Sequence, residues 1–203
     1  MGIITEISNQ KHKNRVNIFV DDEFKSGLDV ETAVKFCLKV GKEINDVELN
    51  NIIIESETNS AFNVALRFLS LTPKSAYEVK QKLIKKGYSD VVISKAIEKL
   101  EEYKYIDDEE YSRLYLSSCK NRSKREIENK LRQKGISKEI INILLEDVDD
   151  DQEENNAFIY AQKYLKNKQL DEKNKRHLIT NLIRKGYSYD IAVKVMNKSC
   201  REE

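Results

Sequence analysis

Val79-Lys80-Gln81-Lys82-Leu83-Ile84-Lys85-Lys86-Gly87-Tyr88-Ser89 has two counterparts in this 203-residue chain. They are Ile127-Glu128-Asn129-Lys130-Leu131-Arg132-Gln133-Lys134-Gly135-Ile136-Ser137 and Leu178-Ile179-Thr180-Asn181-Leu182-Ile183-Arg184-Lys185-Gly186-Tyr187-Ser188. The three align without gaps, and the equivalent leucines Leu83, Leu131 and Leu182 stand 48 and 51 residues apart. Tetratricopeptide and ankyrin repeats are shorter, roughly 33–34 residues, which excludes them. The pattern predicts one supersecondary unit used three times.

Each copy reads as helix, glycine turn, helix. Val79/Leu83, Ile127/Leu131 and Leu178/Leu182 lie four apart, which stacks apolar side chains on one helical face. Ser75-Ala76-Tyr77-Glu78 and Ser123-Lys124-Arg125-Glu126 have capping-box spacing, and Asn174 is the expected cap of the third helix. Gly87, Gly135 and Gly186 should end these helices in the left-handed conformation. Ser89, Ser137 and Ser188 should then cap a second helix. Its apolar faces are Ile93/Ala96/Ile97/Leu100, Ile140/Ile141/Leu144/Leu145 and Ile191/Ala192/Val195/Met196. A further amphipathic helix precedes each pair, marked by Val64/Ala65/Phe68/Leu69, Tyr111/Leu114/Tyr115 and Phe158/Ala161/Tyr164/Leu165. Every repeat therefore has three helices.

The first 58 residues differ. Apolar alternation through Ile3/Thr5/Ile7, Val16/Ile18/Val20 and Phe24/Ser26/Leu28, around a polar turn from Asn9 to Asn14, predicts strands. Two short helices should follow, Glu31–Val40 stopped by Gly41 and Val47–Glu55 capped by Asn45. The predicted fold is mainly α: a small N-terminal domain with a β-hairpin or short sheet and helices (1–58), then three three-helix repeats (59–106, 107–154 and 155–203) in an elongated, curved array.

Composition narrows the function classes. Charged residues make up 35% of the chain, with one proline and no tryptophan, which suits surface-rich helices. No run approaches the ~18 apolar residues of a membrane span, and a signal peptide's charged and apolar regions are missing. A cytoplasmic protein with no membrane partner is expected. Cys37, Cys119 and Cys200 are widely spaced and read as reduced thiols. No phosphate loop, nucleophile elbow or zinc-protease motif is present, so neither enzyme activity, metal nor cofactor is expected. His12 and His177 have no triad-like company.

Charge segregates in the middle repeat. Arg113, Lys120, Arg122, Lys124, Arg125, Lys130, Arg132, Lys134 and Lys138 face only Glu126 and Glu128 between positions 113 and 138, a local balance of +7. Acidic runs flank them, Asp107 to Glu110 and Glu146 to Glu154. Solvated helix faces explain many surface cations, but this concentration favours a binding surface. Arginine's rigid fork suits phosphate or carboxylate. The pairs Lys124/Glu128, Arg125/Glu128 and Glu126/Lys130 have the spacing to meet within the helix. The third repeat is also basic, with 11 Lys/Arg against 5 Asp/Glu over residues 155–203. Most of the ten tyrosines fall at core positions rather than on a base-stacking surface.

The stretch Tyr105-Ile106-Asp107-Asp108-Glu109-Glu110-Tyr111, followed by the basic helix Lys124–Lys134 and Lys134-Gly135-Ile136, resembles the RecX family. The likeness spans nearly the whole chain. The family usually has a glycine before the basic helix, where this chain has Asn121-Arg122-Ser123. The resemblance implies a monomeric, non-enzymatic regulator that binds RecA filaments on single-stranded DNA, and duplex DNA weakly. It would damp recombinase, ATPase and co-protease activity. The residues expected to meet filament or nucleic acid are Arg113, Lys120, Arg122, Lys124, Arg125, Lys130, Arg132 and Lys134. A helix-turn-helix DNA reader and a helical scaffold for another protein are the other two readings.

Overall fold

A computed structural model describes residues 1–11, 14–119, 122–146, 148–166 and 171–200. Lys120 and His12 lie outside the described residues. The chain divides into two compact units, Met1–Ile106 and Asp107–Glu203.

The first unit opens with an antiparallel sheet of β1 (Gly2–Asn9), β2 (Arg15–Val20), β3 (Glu23–Asp29) and β4 (Glu43–Ile44), in the order β3-β2-β1-β4. Asp21 and Asp22, at φ 51° and 65°, form the two-residue loop joining β2 to β3. Only β2 keeps an uninterrupted inside-outside alternation, burying Val16, Ile18 and Val20. A bulge in β1 between Ile4 and Glu6 resets its phase, so Ile4 is buried and Ile3 is 47% exposed. A register shift near Phe24 leaves that ring on the surface while Leu28 is buried.

Helix α1 spans Val30–Lys35, shorter than the expected Glu31–Val40. Cys37 takes φ 48°, and the Leu38 N–H turns back to the Ala33 carbonyl, so the chain leaves the helix before Gly41. Gly41 instead donates to the Ile4 carbonyl and leads into β4, a strand that the alternation pattern did not reveal.

The larger departure is α2, which runs unbroken from Asp46 to Leu69. Asn45 caps it as expected, but the division placed between 58 and 59 falls inside this one helix. The polar run Ser56 to Ser60 looks like a break and is not one, because its side chains are used. Ser56 Oγ accepts the Asp29 N–H, and Thr58 Oγ1 donates to the Ile54 carbonyl. Asn59 donates to Thr32 Oγ1 and accepts from Lys99 Nζ. The start of α2 packs Leu49 and Ile52 under the sheet, while Ala61 and Ala65 join the core of α3 (Ala76–Ile84) and α4 (Asp90–Glu102).

The second unit repeats the three-helix arrangement twice: α5 (Asp108–Ser117), α6 (Lys124–Gln133) and α7 (Lys138–Glu146), then α8 (Asp150–Leu165), α9 (Glu172–Arg184) and α10 (Tyr189–Ser199). Each set has its own apolar core, around Ile127, Leu131 and Ile141 in one and Leu178, Leu182 and Val195 in the other. Leu83, Leu131 and Leu182 are all fully buried. Leu114 is not, at 49% exposure; the small Ser112 takes the inward place on α5 and bonds back to the Asp108 carbonyl.

The glycine turns are near copies. Gly87, Gly135 and Gly186 have φ of 85°, 76° and 98°. Tyr88, Ile136 and Tyr187 each donate N–H to the leucine five residues back, closing a Schellman turn. The caps are less uniform. Ser75 and Glu78 form a reciprocal capping box, Ser123 accepts from Glu126, and Ser137 and Ser188 cap their helices. Ser89 makes no side-chain cap bond. Asp171, three residues ahead of Asn174, caps α9 and accepts the Asn174 N–H.

Candidate functional site

The basic sequence of the middle repeat enters α6 through a buried polar joint. Ser123 is fully buried, and its Oγ donates to the Lys185 carbonyl oxygen at 2.7 Å while accepting the Glu126 N–H at 3.1 Å. The Lys124 N–H donates to Glu153 Oε1 of α8, and Asn156 Nδ2 donates to the Arg122 carbonyl. Two backbone groups and one side-chain hydroxyl at the mouth of α6 are therefore bound to the third repeat. Tyr187 is buried against this joint, and burial, with Glu153 and Glu126 close by, pushes its phenol well above the ordinary tyrosine range.

The structure sorts the expected cations into two kinds. Arg113 pairs with Glu109 and Glu110 on its own helix. Arg122 donates to Tyr115 Oη at 3.0 Å, lies 6.0 Å from that ring's centre and pairs with Glu126. It is a strut between α5 and α6. Burial raises the Tyr115 pKa, as does Cys119, with Arg122 working against them. Arg132 pairs with Glu128 at 2.8 Å. Among the described residues Glu126 thus pairs with Arg122, just ahead of the helix, and Glu128 with Arg132 within it, rather than as expected from spacing. Lys134 caps the end of α6, and Lys138 opens α7 on the surface.

Arg125 and Lys130 behave differently. Both are exposed and line a groove of about 480 Å³ whose other wall is the end of α9, with Arg184, Lys185 and Gly186. Asn129 contributes a neutral amide, and the one acid present, Glu126, is already turned to Arg122. Among the described residues, none of these four cations has a carboxylate partner. Lys130 reaches only the Gln133 amide, and Lys185 lies over the Tyr160 ring at 5.9 Å. Arg184 and Lys185 were absent from the expected set. Their place in the repeat, directly opposite Gln133 and Lys134 in the alignment, was the available signal.

Family models for the regulatory protein RecX N-terminal domain and for the first and second RecX three-helix domains match residues 2–45, 61–100 and 107–145. A regulatory protein RecX of Bacillus subtilis (strain 168) is 36% identical over 98% of this chain and 77% of its own. The chain belongs to the RecX family. Another RecX relative, from Clostridium perfringens (strain SM101 / Type A), is 34% identical over 100% of this chain and 99% of its own. A crystal structure of regulatory protein RecX, 22% identical, matches with a TM-score of 0.75 over 97% of this chain and all of its own, which shows the shared fold. RecX from Lactobacillus salivarius matches 70% of this chain and 96% of its own, at 26% identity and a TM-score of 0.63. The RecX three-helix domains correspond to α2–α4 and α5–α7, and α8–α10 repeats their pattern.

Proposed function

We propose that this RecX-type regulator binds RecA filaments on single-stranded DNA and restrains their recombinase, ATPase and co-protease activities without catalysis of its own. The observation that carries the reading is the basic groove of α6 and α9, four cations with no carboxylate partner among the described residues. A surface serving only solubility would pair them as Arg113, Arg122 and Arg132 are paired, since acids are plentiful in this unit. Membership of a family named for regulation supports the absence of catalysis. The protein would act as a cytoplasmic monomer, with weak affinity for duplex DNA. No helix among the described residues is long and apolar enough to cross a membrane.

The helix-turn-helix reading has less support. The exposed side of α7, the helix that would enter a groove in the middle repeat, presents Lys138, Glu139, Asn142, Ile143 and Glu146. Two carboxylates outweigh the single lysine against phosphate, and one asparagine beside an isoleucine reads few base edges.

Cosedimentation tests the proposal: the full chain should pellet with RecA–single-strand filaments more strongly than it binds RecA alone or naked duplex. Equal retention by duplex DNA without RecA would favour the helix-turn-helix reading.

A further inference from the structure

We infer that the groove of Arg125, Lys130, Arg184 and Lys185 is a site for the phosphodiester backbone of single-stranded DNA, built jointly by the second and third repeats. This rests on the functional reading above and names the chemistry of its partner.

The residues fit an anion with fixed geometry. Two guanidiniums offer forks matched to phosphate oxygens, and two ammonium groups add charge from opposite walls. The end of a helix normally repels anions through its exposed carbonyls. At α9 that field is countered. The Lys185 carbonyl accepts the Ser123 hydroxyl, the Ile183 and Leu182 carbonyls accept the N–H groups of Gly186 and Tyr187, and Arg184 and Lys185 stand in the final turn.

Backbone phosphate fits better than an acidic protein face. Protein interfaces are organised around buried aromatic or aliphatic anchors, whereas nucleic-acid interfaces are more polar and strongly positive. Ile183 is the one large apolar side chain in the lining, among charged and amide groups. Such contacts fix register without reading sequence, which suits a protein acting on a filament regardless of its DNA.

Gly186 makes the site depend on the joint between repeats. A Cβ there would come within 2.7 Å of Ser123 Oγ and 3.0 Å of Arg125 Cβ, so the turn sits directly against the start of α6. The two walls therefore hold a set spacing.

The test uses the full chain, a labelled oligo-dT probe and fluorescence anisotropy over a salt series. Two double variants remove the cations of one wall each, R125Q/K130Q and R184Q/K185Q. R113Q/R132Q is the control, because those arginines already have carboxylate partners. Each groove double should weaken oligo-dT binding at low salt by tenfold or more. Each should also flatten the slope of log affinity against log salt by about 1.4, the counterion release of two single-strand phosphates. The control should change the slope by less than about a third of that. Unchanged oligo-dT binding in both folded groove doubles overturns the site. If those doubles bind oligo-dT normally yet lose the RecA filament, the groove meets protein and this inference falls while the regulatory reading stands. If the groove binds oligo-dT as described but the chain ignores RecA filaments, the site stands and the regulatory reading falls. Thermal melting confirms the fold of each variant.

Discussion

Ser123 Oγ gives its proton to the Lys185 carbonyl at 2.7 Å and receives the Glu126 N–H at 3.1 Å, so one buried hydroxyl caps α6 and fastens the end of α9. Ser188, which caps α10 (the second helix of the last pair), lies on the surface, where its hydroxyl accepts the Ile191 N–H. Ser123→Ala should therefore cost more than Ser188→Ala. The first strands a buried donor and a carbonyl, for roughly 2–4 kcal/mol, and the second loses about 1 kcal/mol of capping. Urea unfolding of the two variants checks the order, and equal losses would mean that Ser123 is only a cap.

The glycine turns give a second comparison. Gly87 and Gly186 both have positive φ, but a Cβ on Gly87 meets nothing within 4 Å, whereas one on Gly186 strikes Ser123 and Arg125. Gly87→Ala should lose about 1–2 kcal/mol from backbone conformation. Gly186→Ala should lose at least ~1 kcal/mol more from displaced neighbours. The measurement is the midpoint of denaturant unfolding, and a Gly186 variant no worse than the Gly87 variant would contradict the close packing.

Much of this was legible in the sequence because the repeat carries its own physics. Leucine at the same helical position, a lysine or arginine near the helix end and then glycine are local signals, and all three turns formed as read. What stayed hidden depended on partners distant in the chain. Ser56 to Ser60 resembles a linker until Asp29, Thr32 and Lys99 are brought against it. The bulge in β1 depends on pairing with β2, which no alternation pattern shows. The site was read in part for the same reason. The excess of positive charge is visible in the sequence, but which cations have carboxylate partners is not. Arg122 proved to be a strut, while Arg184 joins Arg125 from 59 residues further along.

Core packing separates correct from incorrect inward positions. Leu83→Ala, Leu131→Ala and Leu182→Ala should each cost about 2–5 kcal/mol, since all three side chains are fully buried. Leu114→Ala, at a 49% exposed position, should cost less than about 0.5 kcal/mol. Calorimetry or urea melts of the four variants check this, and a large loss at Leu114 would contradict its placement on the surface.

Asp29 gives the first unit an acid-sensitive contact. Burial works to raise its pKa, but hydrogen bonds from the Thr32 side chain and backbone, with help from Ser56, outweigh burial and hold it below the ordinary aspartate value. A depressed folded pKa means that the unfolded chain takes up the proton first. The stabilisation is therefore complete above the unfolded value of about 3.9 and is lost as pH falls through the folded one. Asp29→Asn should flatten the dependence of stability on pH below about 4. An unchanged acid limb would remove Asp29 from that role.

The most direct measurement of the regulatory claim is RecA's single-strand-dependent ATP hydrolysis, titrated with this protein and with its folded R125E/R184E variant. The natural chain should suppress hydrolysis, and the variant should need at least tenfold more protein for the same effect, a loss of about 1.4 kcal/mol or greater. Undiminished hydrolysis at saturating natural protein, or equal suppression by the variant, would contradict it.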